Sequence, residues 1–141
     1  MEKIEKILVP LDGSGCAEMV LPAAEKFATV MKADIVLLRV AFAHTLPGLD
    51  QTDAQVRVVR EAEEYLGKLQ KRMEAKGIKA ETHVRYGDEA EEILDHASYK
   101  DITWIAMTTH GRSGIKRFLL GSIAEKVLRH SPKPIFLFRC V

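Results

Sequence analysis

The stretch Met107 to Arg129, M-T-T-H-G-R-S-G-I-K-R-F-L-L-G-S-I-A-E-K-V-L-R, decides how this chain reads. It opens where an apolar strand-like run, Ile102 to Met107, stops, and it closes in an amphipathic run that starts at Ser122. Between them, Gly111, Ser113, Gly114, Gly121 and Ser122 let the backbone turn sharply and bring its N–H groups close to a bound group. A helix starting at Ser122 would add unpaired N–H groups and a dipole that favour a phosphate at that end. The stretch therefore points to a nucleotide-phosphate site. Ser122 with Glu125 three residues later also reads as a capping box, which stabilises a helix start without any ligand. The loop is longer than most strand-to-helix connections, and long ordered loops in compact domains are often functional.

Strands and helices alternate on either side of this stretch. Downstream, Pro134 to Val141, P-I-F-L-F-R-C-V, reads as a fifth strand. Upstream, Asp88 with Glu91 caps a short helix carrying Ala90, Ile93, Leu94 and Ala97. Before it, Ala80 to Tyr86 alternates apolar and polar residues, which indicates one wet face or an edge position. Thr52 and Gln55 form a further capping pair for a long helix with Val56, Val59, Leu66, Leu69 and Met73 at helical steps, and Gly77 ends it. Asp34 to Val40, D-I-V-L-L-R-V, has the near-continuous apolar run of a strand covered on both faces.

The chain opens with a strand, Ile4 to Leu11, whose apolar centre is Ile7, Leu8 and Val9. The turn D-G-S-G then leaves Asp12 at that strand's carboxyl end. Val20, Ala24, Phe27 and Met31 follow at helical spacing, with Pro22 either in the first turn of that helix or at a bend within it. Alternation of this kind predicts an α/β fold: right-handed β-α-β units building an open parallel sheet. In such sheets ligands bind beyond the carboxyl ends of the strands, where the strand order reverses. Neighbouring first and fourth strands would bring Asp12 to the Thr108 loop.

At 141 residues the chain is expected to form one domain, residues 1–141, and to bury roughly 68–70% of its unfolded surface. Its net charge of +1, from 21 basic and 20 acidic residues, offers no global field for nucleic acid or a membrane. Arg112, Lys116 and Arg117 form the one local basic patch, which could steer phosphates or be a solvated face. The charged opening M-E-K-I-E-K gives no sign of a signal peptide, and no apolar run has transmembrane length. Cys16 and Cys140 stand near opposite ends without a C-x-x-C spacing. The expectation is a reduced, cytosolic protein with neither a metal site nor a disulfide framework, Cys16 serving as a small buried apolar residue. The apolar I-F-L-F run, if it lies at a sheet edge, predicts a homodimer formed through Ile135, Phe136, Leu137 and Phe138.

Taken together, V-P-L-D-G-S, the strand ending at Val40 and H-G-R-S-G-I-K-R-F-L-L-G-S resemble the universal stress protein family from Ile7 to the C-terminus. The resemblance implies a three-layer fold, a five-stranded parallel sheet of order 3-2-1-4-5 with helices on both faces, usually dimeric through the last strand. Its ATP-binding branch carries glycine, two residues, glycine, nine residues, glycine, then serine or threonine. Gly111, Gly121 and Ser122 match, whereas Thr108 stands at the first glycine position. By that resemblance, Thr108, Thr109, His110, Gly111, Arg112, Ser113 and Gly114, with Ser122, Ile123 and Ala124 after Gly121, surround the phosphates and ribose. Pro10 and Val40 border the adenine. Asp12 faces the ribose or a Mg²⁺ carried by the nucleotide. A left-handed backbone at Thr108 would cost roughly 1–2 kcal/mol, whereas an extended one would leave only its side chain to matter.

The first functional expectation is an ATP-binding stress-response module, read by its own dimer or by another protein. The second is an interaction protein of the same fold, favoured by Thr108 and the apolar Ala41 to Leu49 loop. The third is a slow ATP hydrolase, for which His110 and Asp12 are the only nearby acid-base candidates. His44, His83, His96 and His130 are scattered and suggest no metal site. The S-G-G-x-D-S signature of related pyrophosphatases and the Walker lysine pattern are both absent.

Overall fold

The structure is a computed structural model that describes residues 4–43, 48, 50–110 and 120–140. Its strands are β1 (Lys6–Leu11), β2 (Asp34–Ala41), β3 (Ala80–Tyr86), β4 (Trp104–Thr108) and β5 (Ile135–Phe138). Its helices are α1 (Gly15–Glu18), α2 (Leu21–Met31), α3 (Gln51–Ala75), α4 (Glu89–Ala97) and α5 (Ser122–His130). The five strands form one sheet in the order β3-β2-β1-β4-β5, every neighbouring pair parallel.

The pleat sorts the apolar residues of each strand onto two faces. Ile7, Val9, Leu11, Ile35, Leu37, Ala80 and Ala106 pack with Ala17 of α1, Val20, Leu21, Ala24 and Ala28 at α2, and Leu66, Leu69 and Met73 of α3. Leu8, Val36, Leu38, Ile105 and Met107 pack on the opposite side with Ala90, Ile93 and Ala97 of α4 and Ala124 and Val127 of α5. Both faces of the sheet are thus covered by helices, the three-layer arrangement expected. β3 lies at an edge of the sheet, one of the two positions its alternation allows, and of its seven residues only Ala80 and Val84 join a core cluster.

The local signals explain most boundaries. Pro22 falls in the first turn of α2, where its missing N–H costs nothing, and a separate short turn, α1, precedes it. Gly77, at φ 79, ends α3 by donating its N–H to the Glu74 carbonyl at 3.0 Å. Asp88 caps α4 by accepting the Glu91 N–H at 3.0 Å. Two capping assignments are corrected. Helix α3 starts two residues earlier than a Thr52 cap would allow, at Gln51, capped by Asp50, whose carboxylate accepts the Thr52 N–H at 2.9 Å. Helix α5 has Gly121 as its N-cap with no side-chain cap, so Ser122 is the first helical residue and no Ser122–Glu125 capping box forms. The Glu125 carboxylate instead takes Arg129 at 2.7 Å, one turn along.

The cysteine expectation is overturned as well. Cys16 and Cys140 are joined as a disulfide with Cα atoms 5.6 Å apart. Sequence position hid this, because the sheet order brings the chain after β5 back beside the turn that follows β1.

Candidate functional site

A cavity of about 980 Å³ opens at the carboxyl ends of the strands. Its origin lies in the sheet. β1 pairs with β2 as far as Leu11, whereas its ladder with β4 covers only Ile7 and Leu8. Beyond Leu8 the central strands part, and Pro10, with no N–H to offer a ladder, stands at the opening. The strand order also reverses here, since connections run outward from β1 in one direction and from β4 in the other.

Nine residues expected from the sequence line this one cavity: Pro10, Asp12, Val40, Thr108, His110, Gly121, Ser122, Ile123 and Ala124. Thr109 is buried directly behind it. Gly111, Arg112, Ser113 and Gly114 lie outside the described residues, as do Lys116, Arg117 and His44. Arg39, Phe42, Glu61, Tyr65 and Glu89 line the cavity too and were not anticipated. Arg39 had a visible signal, a charge interrupting the apolar run of β2. Nothing in the α3 pattern distinguished Tyr65.

Two floors meet at the cavity. On the α5 side, Thr108 ends β4 in extended backbone, and among the described residues only Lys32 is a non-glycine at positive φ. The left-handed cost considered for Thr108 therefore does not arise. Its hydroxyl donates to the His110 carbonyl at 2.7 Å, which shapes the turn out of the strand. The Thr109 carbonyl accepts the Gly121 N–H at 2.7 Å, which ties the end of β4 to the start of α5. That contact leaves little room for a side chain: a Cβ on Gly121 would lie 3.3 Å from the same carbonyl, which would have to give by a few tenths of an ångström, and 3.6 Å from the His110 ring.

His110 is buried, and its Nδ1 lies 3.1 Å from the Thr109 hydroxyl. Among the described residues its buried Nε2 has no hydrogen-bond partner, and a buried unpaired ring nitrogen is destabilising. The Gly121 contact puts this ring beside the start of α5, whose first N–H groups have no side-chain cap. An acceptor at that point could serve both.

On the α3 side, Asp12 is buried, and its Oδ1 accepts the Ser14 N–H at 2.9 Å. The Ser14 hydroxyl in turn caps α1 through the Ala17 N–H at 3.0 Å. The Arg39 guanidinium lies 5.8 Å from the Tyr65 ring centre and packs over Gly13, a turn residue at φ 87. Tyr65 donates to the Glu18 carboxylate at 2.7 Å. Burial, followed by that carboxylate, raises the phenol well above its usual range, so it remains a protonated donor. Phe42, more than half exposed, stands at the rim with its ring centre 6.3 Å from that of Tyr86.

Among the described residues no group of three or more His, Cys, Asp or Glu is placed to hold a metal ion; Asp12, Glu61, Asp88 and Glu89 are the described carboxylates that line the cavity. No helix of the described residues is long and apolar enough to cross a membrane.

The profile of the universal stress protein family matches residues 3–139. The chain is 30% identical over 145 residues to universal stress protein YxiE of Bacillus subtilis, covering 95% of this chain and 98% of that one. It superposes on the solved structure of MJ0577, a universal stress protein of Methanocaldococcus jannaschii, with a TM-score of 0.86 and 28% identity, covering 98% and 97% of the two chains. A universal stress protein from Archaeoglobus fulgidus, solved in complex with dAMP, shares the fold at a TM-score of 0.64 and 23% identity, covering 96% and 97%.

Proposed function

Since the chain belongs to the universal stress protein family, we propose that it is an ATP-binding, nucleotide-dependent stress-response module of the cytoplasm. The observation that carries this reading is the meeting, at one cavity, of the α5 N-terminus, which has no side-chain cap, and His110, whose buried Nε2 has no hydrogen-bond partner among the described residues. An anionic ligand with several oxygens satisfies both at once. A phosphate does so with the N–H groups of Ser122, Ile123 and Ala124 and with the Nε2 side of His110. The Thr108, Thr109 and Gly111 to Gly114 segment completes the phosphate and ribose surroundings. The nucleoside lies along the parted strands, with Pro10 and Val40 against the adenine.

Asp12 faces the ribose, or a Mg²⁺ held chiefly by the phosphates. Nucleotide binding to the Archaeoglobus relative, in its complex with dAMP, supports a nucleotide in this cleft; the choice of ATP rests on the phosphate floor. The reading extends to a homodimer through Ile135, Phe136, Leu137 and Phe138. β5 pairs with β4 alone among the described strands, which leaves its outer edge for a second copy.

The decisive experiment identifies, by mass spectrometry, any small molecule released on denaturing protein purified without added nucleotide. Calorimetric titration with ATP and Mg²⁺ follows. Recovery of ATP near one per chain, or saturable binding, supports the proposal; no heat at millimolar ATP refutes it.

A second reading, an interaction protein of the same fold, is favoured by one observation. Phe42 and Val56, each at least half exposed, present apolar surface on the segments that flank the cavity mouth. A nucleotide-free preparation that still captures a partner in a manner sensitive to Phe42→Ser would select it.

A further inference from the structure

The disulfide lies against the phosphate loop, not on a distant surface. Cys16 stands in α1, four residues after Asp12, and its Sγ is 3.1 Å from the His110 carbonyl oxygen. Cys140 follows β5, and its N–H donates to the Thr109 hydroxyl at 3.2 Å. Thr109 gives its own N–H to the Phe138 carbonyl at 2.8 Å and accepts the Gly121 N–H at 2.7 Å. The two residues that end in the unpartnered Nε2 are therefore clasped between the two halves of the cross-link on one side and the start of α5 on the other.

We propose that Cys16 and Cys140 form a reversible thiol–disulfide couple that sets the order of Thr109 and His110 and, through them, the affinity of the cavity for nucleotide; this last step rests on the nucleotide-binding reading above. In a reducing compartment, disulfides are typically transient, catalytic or redox-sensing. This one joins segments 124 residues apart at a place where their bond acts on the cavity floor.

The chemistry balances with a glutathione-type thiol as reductant. Cys16 is half-buried while Cys140 is buried, so the incoming thiolate attacks the Cys16 sulfur. The Cys16–Cys140 bond breaks, and Cys140 leaves as a thiolate and takes up a proton. A second small thiol then attacks the mixed disulfide, releasing the Cys16 thiol and a small-molecule disulfide. Two electrons pass from the two small thiols to the protein. Oxidation runs the same steps in reverse, with a glutathione-type disulfide as the oxidant.

The two states differ at the loop. In the disulfide, the Cys16 sulfur carries no hydrogen, and a covalent tie spans from α1 to the segment after β5. After reduction the tie is lost and the thiol can donate to the His110 carbonyl, which already accepts from Thr108. The cross-linked state holds the loop in place before a ligand arrives, so less order is lost on binding and its affinity is higher.

The test equilibrates the full chain in glutathione buffers from reducing to oxidising and counts free thiols by alkylation and intact mass. Each state is titrated with ATP, and amide hydrogen exchange at Thr109, His110 and Gly121 is followed by NMR. The expected result is two alkylated thiols in the reduced state and none in the oxidised state. Slower exchange at these amides and an ATP affinity higher by at least roughly fivefold accompany oxidation. Cys16→Ser and Cys140→Ser variants keep the reduced-state affinity in every buffer. Thiols that stay free in the most oxidising buffer overturn the proposal, as does a disulfide that glutathione cannot reduce in the folded protein. Equal exchange or equal affinity in the two states overturns it too. If ATP binds in neither state, the nucleotide reading fails by itself, and the exchange difference alone decides whether the couple controls the loop.

Discussion

The Gly121 N–H donates to the Thr109 carbonyl at 2.7 Å, and a Cβ on Gly121 would meet that carbonyl at 3.3 Å. The glycine is required by close approach of backbone to backbone, since its φ of −71° suits any residue. Gly121→Ala should therefore lower stability by about 1 kcal/mol as the loop shifts. It should also weaken ATP binding about tenfold or more, because the displaced segment carries both His110 and the first turn of α5. Gly121→Val, a bulkier change, presses on the protein's own loop as well as on any ligand. Urea unfolding beside calorimetry separates the two effects, and unchanged ATP affinity in the alanine variant would refute the phosphate-loop assignment.

His110 offers a test with opposite signs. A buried nitrogen without a partner costs stability, so His110→Phe should leave the ligand-free protein as stable as the parent within about 1 kcal/mol. The same variant should bind ATP more weakly by about 1.5–3 kcal/mol, the value of a hydrogen bond to a charged group. Loss of stability together with unchanged affinity would show the ring to be a packing element only.

His96 predicts an acid-sensitive fold. It is buried at the β3–α4 contact, where Arg85 lies 3.2 Å from its Nδ1 and the His83 ring is 4.9 Å away. Asp95, Asp101 and Tyr99 face the same group. Burial first, then the charges of His83 and Arg85, push its pKa down to about 4. The folded value lies below the unfolded one, so the unfolded chain binds more protons between them. Stability is complete above pH 6.5 and falls as the pH drops towards the folded pKa, by about 2 kcal/mol between pH 7 and pH 5. Urea midpoints at the two pH values measure it, and His96→Phe should flatten that part of the profile.

The cross-link between Cys16 and Cys140 closes most of the chain into one loop. Restricting so long a loop in the unfolded state is worth about 3–5 kcal/mol in the chain-entropy account. Guanidinium unfolding with and without reductant should differ by that order, independently of any effect on nucleotide.

The proposed dimer has its own readout. Ile135 and Leu137 pack on one face of the sheet, while Phe136 stacks on Phe27 with ring centres 4.6 Å apart on the other. The side chains of β5 are thus used within the chain, and a second copy would engage its backbone edge. Light scattering at micromolar concentration should give twice the chain mass; a monomeric mass would count against the edge contact.

Strand and helix periodicities need only local information, so the parallel α/β class and the placing of Gly77 are legible in the order of residues alone, whereas Pro22 could head a helix or bend one and β3 could lie at an edge or carry one wet face until the structure decided. The strand order and the residues expected around a nucleotide came from likeness to a family, since no single residue of β1 or β4 states which strand lies beside it. Capping was the weak point. Ser122 and Thr52 have the right chemistry for caps, but Gly121 and Asp50 stand one and two residues earlier, and the first takes its position from the Thr109 carbonyl across the loop.

The order of residues determined by itself which segments extend, which coil and which faces are apolar, because those properties arise between neighbours a few positions apart. Tertiary structure alone decided that Cys140 returns beside Cys16 and that Arg39 and Tyr65 join the cavity. Each of these depends on the parting of β1 from β4 and on the return of β5. Such contacts arise between residues far apart in the chain, where no local pattern records them.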